Sequence, residues 1–98
     1  MDIEDWRTKI DEIDLKLLKL LNERALYSIE IGKIKKQKDL PIYSPEREVA
    51  IIARMVRENK GPLGNDGVRR LFERIIDESR KLEKDFFLKN KNNTKKEK

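Results

Sequence analysis

Apolar and polar positions divide the chain into three stretches of helical period. In the first, apolar side chains stand at Ile3, Trp6, Ile10, Ile13, Leu17, Leu20, Tyr27, Ile31 and Ile34, and Arg24 occupies the remaining seam position. The steps alternate between three and four residues, the heptad spacing of a helix that packs along its whole length. Leu18 and Leu21 widen the stripe. The spacing predicts a helix from about Ile3 to Lys38, about 50 Å long at the α-helical rise. Pro41 and Pro45 flank one break, and Gly61-Pro62-Leu63-Gly64 makes a second. Ser44-Pro45 opens the next helix with a good cap and a favoured first residue. Its predicted stripe is Val49, Ile52, Ala53 and Val56, ending near Asn59. The third helix is predicted to follow a cap at Asn65 or Asp66. Its stripe is Val68, Leu71, Phe72, Ile75, Ile76, Leu82, Phe86 and Phe87, with Ser79 and Glu83 on or beside it. No stretch alternates with period two, so the predicted class is all-α, with three helices and a long first one. A compact domain of this size is roughly 30–35 Å across. The first helix is longer than its own domain, and a second copy of the chain is the simplest partner for its far end.

Composition agrees with that picture. Charged residues make up 44% of the 98 and hydrophobic residues 37%. Such a chain is very helical, partly disordered, or dependent on self-association for its burial. The net charge is +5, but residues 89–98 hold five Lys and one Glu, which leaves +1 on residues 1–88. The expected organisation is a helical domain over 1–88 and a disordered basic tail over 89–98. A near-neutral body without interleaved aromatics argues against nucleic acid. No apolar run approaches the roughly 20 residues of a membrane helix. The start, Met1-Asp2-Ile3-Glu4-Asp5, is unlike a signal peptide, and a cytoplasmic protein is expected. The chain has no Cys and no His, so disulfides, thiol chemistry and the commonest general base and metal ligand are all excluded.

The informative residues are the polar ones that interrupt apolar faces. Arg24 sits in the seam between Leu20 and Tyr27. There it sets register, snorkels to water, or binds an anion. Lys35 follows by 11 residues, about 20° beyond three full turns, so the two cations share a face. From points about 16 Å apart along the axis, their long side chains could bracket a small dianion. Alternatively, Lys35 is one more solvated charge in a Lys-rich stretch. Arg7 lies about 25 Å from Arg24 along the helix and reaches the same ligand only from an antiparallel partner. Otherwise it is a surface arginine. Ser79 and Glu83 are one turn apart at the edge of an apolar face. Desolvation there favours a protonated carboxyl, which can donate a hydrogen bond. A salt bridge to a nearby Lys or Arg is the plainer alternative. Arg47 and Glu48 read as first-turn charges of the second helix.

Taken in order, these residues resemble the all-helical AroQ-class chorismate mutases. The resemblance rests on Arg7, Asp14, Leu17-Leu18, Leu21 and Glu23-Arg24, then Ile31-Gly32-Lys33-Ile34-Lys35 and Pro45-Glu46-Arg47-Glu48. Leu71-Phe72, Ile75-Ile76, Ser79 and Glu83 complete it. It covers residues 4–88, and its strength lies in the ordered set rather than in any single piece. It implies an intertwined antiparallel homodimer and the rearrangement of chorismate to prephenate, a step toward phenylalanine and tyrosine. That reaction is intramolecular and needs no cofactor, metal, nucleophile or general base. By resemblance, Arg24 and Arg7 of the partner subunit bind the substrate carboxylates. Lys35 contacts a carboxylate and the ether oxygen, Glu48 takes the ring hydroxyl, and Ser44, Arg47 and Ser79 shape the polar wall. Ile31 and Ile76 supply apolar walls. Lys35, Glu83 and Arg24 are the expected catalytic groups. Two positions depart from the pattern: some relatives have Asp at Ser44, and some bacterial ones have Gln at Glu83. The competing readings are an isochorismate-pyruvate lyase of the same fold and a non-catalytic helical module. Association with another shikimate-pathway enzyme is a further expectation.

Overall fold

The computed structural model describes the backbone of residues 1–96 and the side chains through Leu88. It contains three helices, α1 (Ile3–Gln37), α2 (Pro45–Glu58) and α3 (Asn65–Lys96), and among the described residues no strand. The principal extents are 62 × 29 × 15 Å and the radius of gyration is 17.5 Å. A compact chain of this length would have a radius of about 13 Å. The excess is what an overlong first helix requires.

Local chemistry fixes the helix ends. At the start of α1 the Asp2 carboxylate accepts from the Asp5 amide, and the Asp5 carboxylate accepts from the Asp2 amide, both at 3.0 Å. This reciprocal box satisfies two donors that a helix start leaves free. At the other end Asp39 takes a left-handed conformation, φ 55°, and the Leu40 amide donates back to the Lys35 carbonyl at 2.7 Å. Helix α2 starts at Pro45 as expected, but the Ser44 side chain makes no capping hydrogen bond. Between α2 and α3, Asn59 donates to the Leu63 carbonyl and the Asn65 side chain, and its own side-chain oxygen accepts from the Gly61 amide. Asn65 is thereby used within the turn. Asn65 is the first residue of the helix rather than its cap, and the Val68 amide donates to the carbonyl of Gly64 before it. The helical backbone of α3 continues past residue 88. The tail expected over 89–98 has its side chains, and residues 97–98 altogether, outside the described residues.

Helix α3 is the central element and packs on both α1 and α2. The row of α1 that faces it is Leu21, Ala25, Ser28, Gly32 and Lys35, which runs alongside the sequence-predicted seam. Ser28 and Gly32 are buried. Small side chains there let α3 approach closely. A Cβ placed on Gly32 would lie 3.5 Å from Cβ and Cγ of Glu83, ordinary contact rather than overlap. A mid-helix glycine costs about 0.5–1 kcal/mol relative to alanine. Gly32→Ala is therefore expected to raise the melting temperature by about 4 °C, read by thermal denaturation. A lower melting temperature would mean that α3 needs the glycine clearance.

The predicted seam itself is left open. Every apolar residue of it, from Ile3 and Trp6 to Ile31 and Ile34, is exposed, and among the described residues the buried hydrophobic side chains are Val68 and Ile76. The α2 stripe also differs from expectation. Of the predicted stripe Ile52 and Val56 are half-buried, but Val49 and Ala53 are exposed, and Glu48, Ile51 and Met55 are half-buried in their place. A one-step rotation of a short helix is decided by its contacts on α3, and those contacts are not encoded in the period.

Candidate active site

A cavity of about 430 Å³ opens between α1, α3, the start of α2 and the segment joining α1 to α2. That volume suits a small organic ligand. Arg24, Lys35, Ser44, Arg47, Glu48, Ser79 and Glu83 all line it, so seven sequence-predicted site residues meet at one place. Ile31 and Ile76 also line it, as expected of apolar walls.

Each side chain has an identifiable hold. Arg24 donates through Nη1 to the Ser79 hydroxyl, which itself donates to the Ile75 carbonyl at 3.0 Å. Ser79 thus fixes the guanidinium from the facing helix. Arg24 is half-buried while its seam neighbours Leu20 and Tyr27 are exposed. It therefore belongs to the cavity rather than to an outward apolar seam. The shared face inferred for Arg24 and Lys35 is the face that the cavity uses.

Lys35 donates to the Ile42 carbonyl at 2.8 Å and lies 3.4 Å from a carboxylate oxygen of Glu83. Their side chains are 16% and 10% exposed, so the pair is largely withdrawn from water. The Lys35–Glu83 salt bridge is the plainer of the two alternatives that the sequence allowed for Glu83. An ammonium has three donors, and these contacts leave one for a ligand. Breaking such a pair by removing one partner strands a poorly solvated charge, a cost of several kcal/mol.

Arg80 was not picked out from the sequence. Its Nε and Nη2 donate to the two carboxylate oxygens of Glu48 at 3.0 and 3.1 Å. Nη2 also donates to Asp77 at 2.8 Å, and the guanidinium lies 5.0 Å from the centre of the Tyr43 ring. Hydrogen bonding to the Glu48 carboxylate holds Arg80 above its usual pKa, so it stays charged at any working pH. One turn beyond Ile76 and three residues before Glu83, it shares their face, and that spacing was the available signal. Tyr27, Ser28, Ile42 and Ile51 complete the wall and were likewise not singled out.

Arg7 is not brought to this cavity. It pairs with Glu4 at 2.8 Å on the first turns of α1, with its side chain 66% exposed. The cavity lining then carries four cations, Arg24, Lys35, Arg47 and Arg80, against two carboxylates, Glu48 and Glu83. The surplus of two positive charges matches a dianion. Among the described residues no three His, Cys, Asp or Glu side chains cluster as a metal site would need. No helix among them is long and apolar enough to cross a membrane.

Residues 6–84 match the profile of the family described as chorismate mutase type II. The chain is 44% identical over 78 residues to a bifunctional chorismate mutase/prephenate dehydratase of Neisseria gonorrhoeae, covering 80% of this chain and 21% of that one. It is 35% identical over 97 residues to a chorismate mutase of Methanocaldococcus jannaschii, covering 96% of both. Among solved structures it is similar to a chorismate mutase (form II) from Thermus thermophilus, with a TM-score of 0.82 and 35% identity. That match covers 84% of this chain and 93% of the other. The chain spans about a fifth of the length of the bifunctional relatives it matches.

Proposed function

The chain belongs to the type II chorismate mutase family, and we propose that it rearranges chorismate to prephenate in the cavity between α1 and α3. The observation that carries the proposal is the lining: two surplus positive charges around a volume sized for one small dianion. The rearrangement breaks a C–O bond as a C–C bond forms, and negative charge gathers on the ether oxygen. Fixed donors aimed at that oxygen stabilise the transition state more than the substrate. In this reading Lys35 supplies the donor, and Arg24 holds a carboxylate with its fork steadied by Ser79. Glu48 accepts the ring hydroxyl, while Ser44 and Arg47 close the polar wall. The test is the loss of chorismate absorbance on adding purified protein, with the product identified by chromatography. Prephenate is the expected product. Pyruvate released from isochorismate would favour the lyase, and no turnover by a folded protein would favour a binding module.

The open apolar face of α1 supports an antiparallel homodimer in which the seams of two copies cover each other. That pairing would bring Arg7 of the partner subunit beside the middle of α1 and into the cavity. The working unit would be residues 1–88, with the basic segment after it as an appendage. A cytoplasmic location, with no membrane or nucleic-acid partner, is part of the same reading. The bifunctional relatives support a functional link to a second enzyme of the same pathway.

Glu83 stands where it can face the ether oxygen beside Lys35. Its carboxylate is the ion-pair partner of Lys35 and offers that oxygen no donor, whereas an amide in its place would. Glu83→Gln is therefore expected to raise kcat/KM on chorismate, read from initial rates. An unchanged kcat/KM would remove Glu83 from this role.

A further inference from the structure

Glu48 enters the cavity from the first turn of α2, on a side chain with three rotatable bonds. Nothing on α2 itself fixes its carboxylate. The only hydrogen bonds to that carboxylate among the described residues come from Arg80 on α3, one to each oxygen. The Arg80 guanidinium is fixed in turn by Asp77 on its own helix and by the Tyr43 ring in the segment before α2. The Glu48 side chain is 20% exposed and that of Arg80 38%, so the carboxylate is the more withdrawn of the two from water.

We propose that Arg80 is a positioning residue: it clamps the Glu48 carboxylate in the orientation that receives a hydroxyl of the bound substrate, and it cancels the charge that would otherwise repel a dianion. The inference rests on the chorismate reading of the cavity. Two features make the clamp compatible with ligand binding. Each carboxylate oxygen has two acceptor directions and gives one to Arg80, so one remains for a hydroxyl. A bidentate guanidinium also sets the plane of the carboxylate, which a lysine cannot do. Without the fork, Glu48 would turn among its rotamers and stand as an uncompensated anion in the wall.

The two effects can be separated by substitution. Arg80→Met removes both, whereas Arg80→Lys keeps the charge and loses the plane. Arg80→Met is expected to lower kcat/KM by about tenfold or more, and by less than about twofold when Glu48 is already Gln. Arg80→Lys is expected to restore KM while kcat stays reduced, a split that a general loss of packing does not produce. Steady-state kinetics on chorismate for the parent, the single variants and the doubles, with circular dichroism of each, make the test. Equal losses with Glu48 and with Gln at that position would overturn the clamp, because Arg80 would then act without Glu48. If Arg80→Met does not fold, the Arg80→Lys comparison in both backgrounds decides the matter by the same criterion. A parent chain that leaves chorismate unchanged overturns the functional reading and this inference together. Turnover by the parent with additive losses overturns the inference alone.

Discussion

Lys35→Ala is expected to lower kcat on chorismate by about 10²–10³-fold, the loss that follows removal of one donor from a developing oxyanion. The Lys35 ammonium is tied to the Ile42 carbonyl at 2.8 Å and to Glu83 at 3.4 Å, so it is held before substrate arrives. A donor that needs no reorganisation in a site poor in water acts more strongly than one in bulk solvent. The interaction with the ether oxygen grows only as the bond breaks, so kcat should fall more than KM rises. The same substitution leaves Glu83, 10% exposed, without its partner. That carboxylate would repel the charge that Lys35 should have met, and it would weaken the α1–α3 contact. The Lys35→Ala/Glu83→Gln double variant is accordingly expected to recover part of the lost rate. Initial rates at saturating chorismate, with circular dichroism to follow folding, check both expectations. A loss under about tenfold in Lys35→Ala would make Lys35 a bystander charge.

The long-range consequences of local pattern were legible in the sequence to different degrees. The length of α1 follows from an unbroken 3-4 spacing and a Pro-flanked stop, and the elongated shape follows from that length. Arg24 and Lys35 were placed on one face by helix geometry alone, since 11 residues return almost to the starting angle. Which neighbour that face meets is a tertiary fact. The spacing picked out the row of large apolar residues as the contact. Within one chain the contact is instead the small row Ala25, Ser28 and Gly32, whose modest side chains give a weak hydrophobic signal and a close helix approach. Val49 misled for the opposite reason: it is apolar and in period, yet α2 turns Glu48 and Ile51 inward. Arg80 shows a third limit. Next to Asp77 it reads as an ordinary solvated pair three residues apart, and its more consequential partner Glu48 is 32 residues away in the chain.

Arg7→Ala and Arg24→Ala are each expected to reduce activity at least about 10²-fold on their own, and to restore activity when mixed. In the proposed antiparallel dimer, each cavity joins Arg24 of one copy to Arg7 of the other. A mixed dimer of the two variants then holds one cavity with both arginines intact and one with neither. Random reassortment of equal amounts makes half of the dimers mixed, so about a quarter of the parent activity per chain should return. Reassortment by dilution or mild denaturant, followed by the chorismate assay, gives the number. Two features of the structure make the result informative. Among the described residues Arg7 is held by Glu4 alone, on an exposed turn, a pair whose loss costs little, so its removal should leave the fold intact. Within one chain it lies about 25 Å along the helix from Arg24, too far for both to grip one small molecule. Recovery would therefore require that the partner subunit's Arg7 completes the cavity. Full activity in Arg7→Ala would remove that residue from the site. Inactive single variants that stay inactive after reassortment would mean that each cavity is built from one chain.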